Sequence, residues 1–202
     1  LKKIKCLKKI VLAISNKKEN IIYKEIAKTN NIDFVFGSDN DVLRRLVLGA
    51  KKTNASDIFR VTTESPFISH EYIDKVWSIH LKENNDLTIF SNNIDGMGFE
   101  IFTINSLKIS HKKGLKRHRS ELCDLYIREN YKDFKVKYIT SKETTQNYRL
   151  TVDNPEDLIL CKKLFLKCRK DYPLISIKKI VNFLKTSTNE VNLTRKFMPK
   201  SK

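Results

Sequence analysis

Apolar and polar positions along the chain alternate between two periods. The run 10–14 (Ile-Val-Leu-Ala-Ile) is continuously apolar, as in a strand buried on both faces. Residues 19–30 follow with helical spacing, Ile22, Ile26 and Ala27 sharing one side. A short strand is predicted at 33–36. The Gly37-Ser38-Asp39-Asn40 turn then offers capping side chains to a helix over 41–53, where Val42, Leu43, Leu46, Val47 and Ala50 form the apolar stripe. A strand at 57–62 ends in Thr62-Thr63-Glu64-Ser65-Pro66. A helix at 70–83 carries Ile73, Val76, Trp77, His80 and Leu81 on one stripe, and a strand follows at 87–91. Next come a loop at 92–98, a strand at 99–103 and helices at 105–111 and 119–130. Strands are predicted at 134–139 and 148–152. A helix at 155–169 has Asn154, Pro155 and Asp157 at its start, and a last helix spans 175–184 before a polar tail. The strand–helix alternation predicts a three-layer α/β domain with a mostly parallel sheet, and 10–14, 57–62 and 87–91 as interior strands. Ligands on such sheets bind beyond the carboxyl ends of the strands.

The length of 202 residues suits one domain, or one with a small appendage, and 40% apolar residues suffice for a core without disulfides or metal staples. No apolar run reaches the roughly 20 residues of a membrane span, so no membrane partner is expected. The formal charge is +17, but 31 of the 40 basic residues are Lys and only nine Arg. Nucleic-acid readers lean on the planar fork of Arg, so the basicity reads mainly as solvated surface and nucleic acid is not the expected partner. Residues 162–202 hold 12 basic and 2 acidic residues, so an electrostatic partner would meet that end. The four cysteines form no C-x-x-C pair, and Cys161 and Cys168 read as small buried apolar groups. No signal-peptide pattern is present, and a cytoplasmic protein is expected. Because residue 1 is Leu, the chain reads as a fragment or a processed product.

Three strand-end loops carry carboxylates: Glu64, Asp95 with Glu100 nearby, and Asp153. If their strands are neighbours, Glu64 and Asp153 converge at one rim. Two oxygen ligands completed by water and substrate phosphates is a usual way to hold Mg²⁺. The alternative gives Asp153 to the helix cap and Glu64 to a turn. His80 reads as a core histidine and Trp77 as core. His111 and His118 flank a basic loop that is either solvated or available to a sugar phosphate or carboxylate.

Three blocks occur in order: Gly37-Ser38-x-x-Asp41-Val42-Leu43-x-Arg45, Arg60-Val61-Thr62-x-x-x-Pro66-x-Ile68, and Arg149-Leu150-Thr151-Val152-Asp153-x-Pro155-Glu156-Asp157-Leu158. Together, over about residues 10–192, they resemble the cytidylyltransferase family of acylneuraminate and CMP-KDO synthetases, nearest its spore coat polysaccharide branch. The resemblance implies a nucleotide-diphospho-sugar transferase, Rossmann-like fold. It implies attack of a sugar hydroxyl on the α-phosphate of CTP with loss of pyrophosphate, and a Mg²⁺ cofactor. It places the metal at Glu64 and Asp153, and the nucleotide near Asp41, Arg45, Arg60 and Arg149.

The chain departs from that pattern in places. No Arg-x-x-Ser-x-Arg-Leu-Pro-x-Lys loop is present, so the domain reads as lacking the family's first strand and phosphate-gripping loop. Residues 1–202 alone are therefore expected not to turn over CTP. Thr63 stands where the family has Gly, and Glu64 where it has Asp. Asp95-Gly96-Met97-Gly98-Phe99-Glu100 lacks a middle carboxylate, and Glu121-Leu122 lacks a histidine. The organisation expected is a cytidylyltransferase-like domain over 1–170 and a basic helical extension over 171–202. A catalytically inactive homologue that binds a sugar, nucleotide or partner is the rival reading, and dimerisation stays open.

Overall fold

The computed structural model describes residues 1–92, 94–141, 143–144 and 146–198. Its strands are β1 (Val11–Ser15), β2 (Asp33–Gly37), β3 (Asp57–Arg60), β4 (Leu87–Ser91), β5 (Ile94–Asp95), β6 (Phe99–Thr103), β7 (Val136–Thr140) and β8 (Tyr148–Arg149). Its helices are α1 (Ile22–Thr29), α2 (Val42–Thr53), α3 (Ile73–Glu83), α4 (Ile104–Lys113), α5 (Leu125–Glu129), α6 (Pro155–Lys167), α7 (Ile177–Thr186) and α8 (Thr188–Thr194). Strands β1 and β2 pair in parallel, as do β5 and β8, and a four-stranded sheet runs in the order β3-β6-β4-β7. This is the mixed α/β architecture, rich in parallel pairing, that the alternation predicts.

The chain divides into two compact units. The first comprises Leu1–Phe59, Trp77–Thr88 and Ile101–Lys137. Helix α2 is anchored at both ends: Asp41 Oδ1 accepts the Arg44 N–H at 2.9 Å, and Asn54 closes it in the left-handed conformation (φ 53°). Leu43, Gly49 and Ala50 are buried on its inner side, and Gly49 lies against Val11 of β1. His80, 1% exposed, meets Thr88 Oγ1 at 2.9 Å and Asp57 Oδ1 at 3.3 Å, as a satisfied core histidine should.

The second unit comprises Arg60–Val76, Ile89–Glu100 and Tyr138–Lys202. Its core gathers Ile94, Met97, Leu150, Leu160, Leu164 and the inner face of α7. Tyr72, Phe90 and Phe99 stack in succession, with centroids 4.7 and 4.9 Å apart. Cys161 and Cys168 are buried, as their spacing implies.

Several expectations are corrected. The helix over 119–130 is interrupted: a 3₁₀ turn ends at Arg119, Ser120 is extended, and α5 begins only at Leu125. Ser120 Oγ accepts the Leu122 N–H, a local bond that competes with helix. The stretch read as polar tail contains α8, which buries Val191 and Thr194; residues 199–202 of that tail lie outside the described residues. The loop over 92–98 contains β5, and its Asn93 also lies outside them. Strand β4 is interior, but β3 stands at a sheet edge and β1 has β2 as its neighbour among the described residues. On α1 only Ala27 is buried, while Ile22 and Ile26 of the same stripe are exposed. Trp77 is half-buried. His118 is buried rather than at the edge of a solvated loop. Its Nδ1 accepts the Leu115 N–H at 2.7 Å, so its Nε2–H donates to Glu129 at 2.8 Å.

Candidate functional site

The second unit concentrates carboxylates around one guanidinium. Parallel pairing of β5 and β8 sets Asp95 opposite Arg149. The approach is close because residue 96 is glycine: at its φ of +85°, a Cβ would stand 2.6 Å from the Thr151 nitrogen. Arg149 is 8% exposed and uses every face of its fork. Its Nη1 donates to Asp95 Oδ2 at 2.8 Å, its Nε to Asp157 Oδ1 at 2.9 Å, and its Nη2 to Asp157 Oδ2 at 3.2 Å and to Asp153 Oδ2. Burial opposes the charge on Arg149, but the hydrogen bonds and charge of Asp157, with Asp95 and Asp153, outweigh it and raise its pKa.

Asp157 is fully buried near the start of α6. Its Oδ2 also accepts the backbone N–H groups of Asp153 (3.1 Å) and Asn154 (3.0 Å) and the Asn154 side-chain amide (3.0 Å). Burial pushes its pKa up, but these donors outweigh that and hold it below the ordinary 3.8. Asp153, by contrast, is 49% exposed at its side chain. Thr151 Oγ1 also reaches its Oδ2 at 3.3 Å, and its Oδ1 has no protein partner among the described residues.

The loop after β3 turns at Thr62, where Thr62 Oγ1 meets Ser65 Oγ at 3.0 Å. Glu64 is exposed at its tip, and its carbonyl accepts the Val152 N–H at 2.9 Å. A main-chain bond thus ties the Glu64 loop to the residue before Asp153. The alternative that gives Asp153 to the helix cap holds for its N–H, which faces Asp157, and not for its carboxylate. Arg60 Nη1 pairs with Glu100 Oε2 at 2.7 Å.

In the first unit, Asp41 is engaged twice. Oδ1 caps α2, and Oδ2 meets His111 Nε2 at 2.8 Å, with Arg119 Nη1 at 3.9 Å. Arg45 Nη1 donates to the Ala13 carbonyl at 2.9 Å, while its buried Nε lacks a partner. Its stem crosses Gly37, where a Cβ would stand 2.7 Å from Arg45 Cγ. The pairing of His111 with Asp41 joins residues 70 positions apart, and no local sequence signal announces it.

Among the described residues no group of three or more His, Cys, Asp or Glu side chains is arranged to hold a metal ion. A cation would rest on one or two carboxylates, water and substrate phosphate. Half-exposed hard oxygen donors at Asp153 and Glu64 suit Mg²⁺ in that mode.

The chain is thus a mixed α/β protein, rich in parallel pairing, with carboxylates at its strand ends, where ligands of such folds bind. The family described as cytidylyltransferase matches residues 1–181, and the chain belongs to it. An uncharacterized protein of Methanocaldococcus jannaschii is 33% identical over all of this chain and 83% of its own length. The spore coat polysaccharide biosynthesis protein SpsF of Bacillus subtilis is 28% identical over 87% of this chain and 74% of its own. A cytidylyltransferase from Leptospira borgpetersenii superposes with a TM-score of 0.75 at 25% identity, covering 88% of this chain and 76% of that one. No helix among the described residues is long and apolar enough to cross a membrane.

Proposed function

We propose that the protein is a nucleotidyltransferase that uses CTP to activate a sugar for polysaccharide or glycan synthesis, releasing pyrophosphate. Family membership and likeness to the spore coat protein support the reaction class. The observation that carries the reading is the main-chain bond from Val152 to Glu64, which ties two carboxylate-bearing loops together.

In this reading Asp153, through its open Oδ1, and Glu64 hold Mg²⁺. When bound, that ion offsets charge on the phosphates during transfer. Asp41 and Arg45, at the start of α2, belong to the nucleotide side, where the amides of the helix start and the Arg45 charge favour an anionic ligand. Arg60 is steadied by its ion pair with Glu100. Glu64 is one methylene longer than the family's aspartate, and its exposed position leaves room for that length or for a bridging water.

Titration of the protein with CTP, GTP and ATP in Mg²⁺ tests the reading. CTP should bind in preference to the purine nucleotides, and Asp153→Asn or EDTA should weaken it. Equal binding of all three, or none, refutes it.

A further inference from the structure

We infer that Arg149 is a positioning residue, the clamp that aims the Asp153 carboxylate, and not a contact to nucleotide. The inference rests on the reading of Asp153 as a cation ligand. It also moves Arg149 out of the nucleotide-binding group in which the family resemblance placed it.

Three observations carry it. First, four of the five N–H donors of Arg149 are given to carboxylates, with Nε, Nη1 and Nη2 each pointing at one, and the residue is 8% exposed. A phosphate could take the two parallel N–H bonds of a guanidinium fork only by displacing an aspartate. Second, both bonds that hold the Asp153 side chain, from Arg149 Nη2 and Thr151 Oγ1, fall on the same oxygen, Oδ2. A carboxylate pinned by one oxygen presents the other in a fixed direction, which is what a ligand to a small octahedral ion needs. Third, the clamp is itself clamped. Asp157 grips Arg149 through two bonds and the Asp153 N–H through a third, so backbone and side chain of Asp153 refer to one buried frame. The surrounding charge is also suitable. One guanidinium among Asp95, Asp153 and Asp157 leaves two negative charges uncompensated, so the clamp orients Asp153 without cancelling the site's attraction for a divalent cation.

The test measures Mn²⁺ binding to the full chain by electron paramagnetic resonance, and CTP binding in EDTA by calorimetry. Arg149→Lys keeps the charge and removes the fork. It should weaken Mn²⁺ binding by roughly 10- to 100-fold, as loss of an outer-shell partner does, and leave CTP binding in EDTA unchanged. Thr151→Val, at a half-buried position that tolerates it, should weaken Mn²⁺ by roughly two- to fivefold, and Thr151→Ser should restore it. Wild-type Mn²⁺ affinity in both Arg149→Lys and Thr151→Val overturns the inference. So does weakened metal-free CTP binding in Arg149→Lys, which would make Arg149 a nucleotide contact. If wild-type protein binds no Mn²⁺, or Asp153→Asn binds it equally well, the metal reading itself fails and the clamp falls with it.

Discussion

Replacing Asp157 with Asn exchanges one oxygen for an NH₂ group and removes one charge at a fully buried point of the second unit. The side chain is fully buried and accepts five hydrogen bonds, one on Oδ1 from Arg149 and four on Oδ2. An amide has one acceptor oxygen. Turned to serve the four donors on the Oδ2 side, it sets its own NH₂ against the Arg149 Nε–H. Breaking a buried ion pair by removing one partner costs about 3–5 kcal/mol. Arg149 retains Asp95 and Asp153, both partly exposed, so the lower end applies, about 3 kcal/mol. For a chain of this size that corresponds to a fall in Tm of roughly 6–12 °C. Differential scanning calorimetry of both proteins at neutral pH measures it. The difference should also close in acid. The folded-state pKa of Asp157 is depressed, so its contribution is present above 3.8 and is lost as pH falls through the lower folded value. A neutral-pH difference under about 1 kcal/mol, or one that persists unchanged in acid, would refute the claim that Asp157 braces Arg149 as an anion.

Three further outcomes are expected. Gly96→Ala should destabilise by about 2 kcal/mol or more in urea unfolding, because a positive φ and backbone at 2.6 Å leave no room to relax; an unchanged midpoint would contradict this. Burial lowers the pKa of His80 from 6.5 despite Asp57, so the unfolded chain protonates first and stability falls as pH drops below about 6.5. That contribution should vanish in His80→Gln; a wild-type slope in the variant, with melting followed from pH 7.5 to 5.5, would exclude it. Burial pushes Cys161 up to about 12, so a disulfide reagent at pH 8 should label half-buried Cys6 first, and early mass-spectrometric labelling of Cys161 would show the helix packing to be wrong.

The regular parts of the fold were legible because burial there follows period. Leu87–Ser91 and Phe99–Thr103 are stretches of mostly apolar, β-branched and aromatic residues that end where the strands end, and the α2 stripe converges on Leu43 and Ala50. Elements without a period escaped. Strand β5 is two residues long, and α8 presents one buried valine among polar neighbours. Helix α1 misled in the other direction, since its apolar stripe is regular but Ile22 and Ile26 are exposed. The carboxylates of the candidate site could be named from strand-end position. What could not be read was their partnership. Arg149 stood in a motif beside Asp153, yet its bond to Asp95 depends on which strands pair, and that depends on Gly96 admitting the close approach. The bond between Asp41 and His111 is likewise a product of tertiary packing.

The central claim is that the loops of Glu64 and Asp153 form one divalent-cation site serving a cytidine nucleotide. Anomalous diffraction from crystals grown with Mn²⁺ and CTP tests it most directly. The account predicts a manganese peak in contact with Asp153 Oδ1, with Glu64 in contact or bridged through one water and a CTP phosphate oxygen completing the shell. Manganese bound elsewhere while Asp153 stays unliganded, or CTP bound away from both loops, would contradict it.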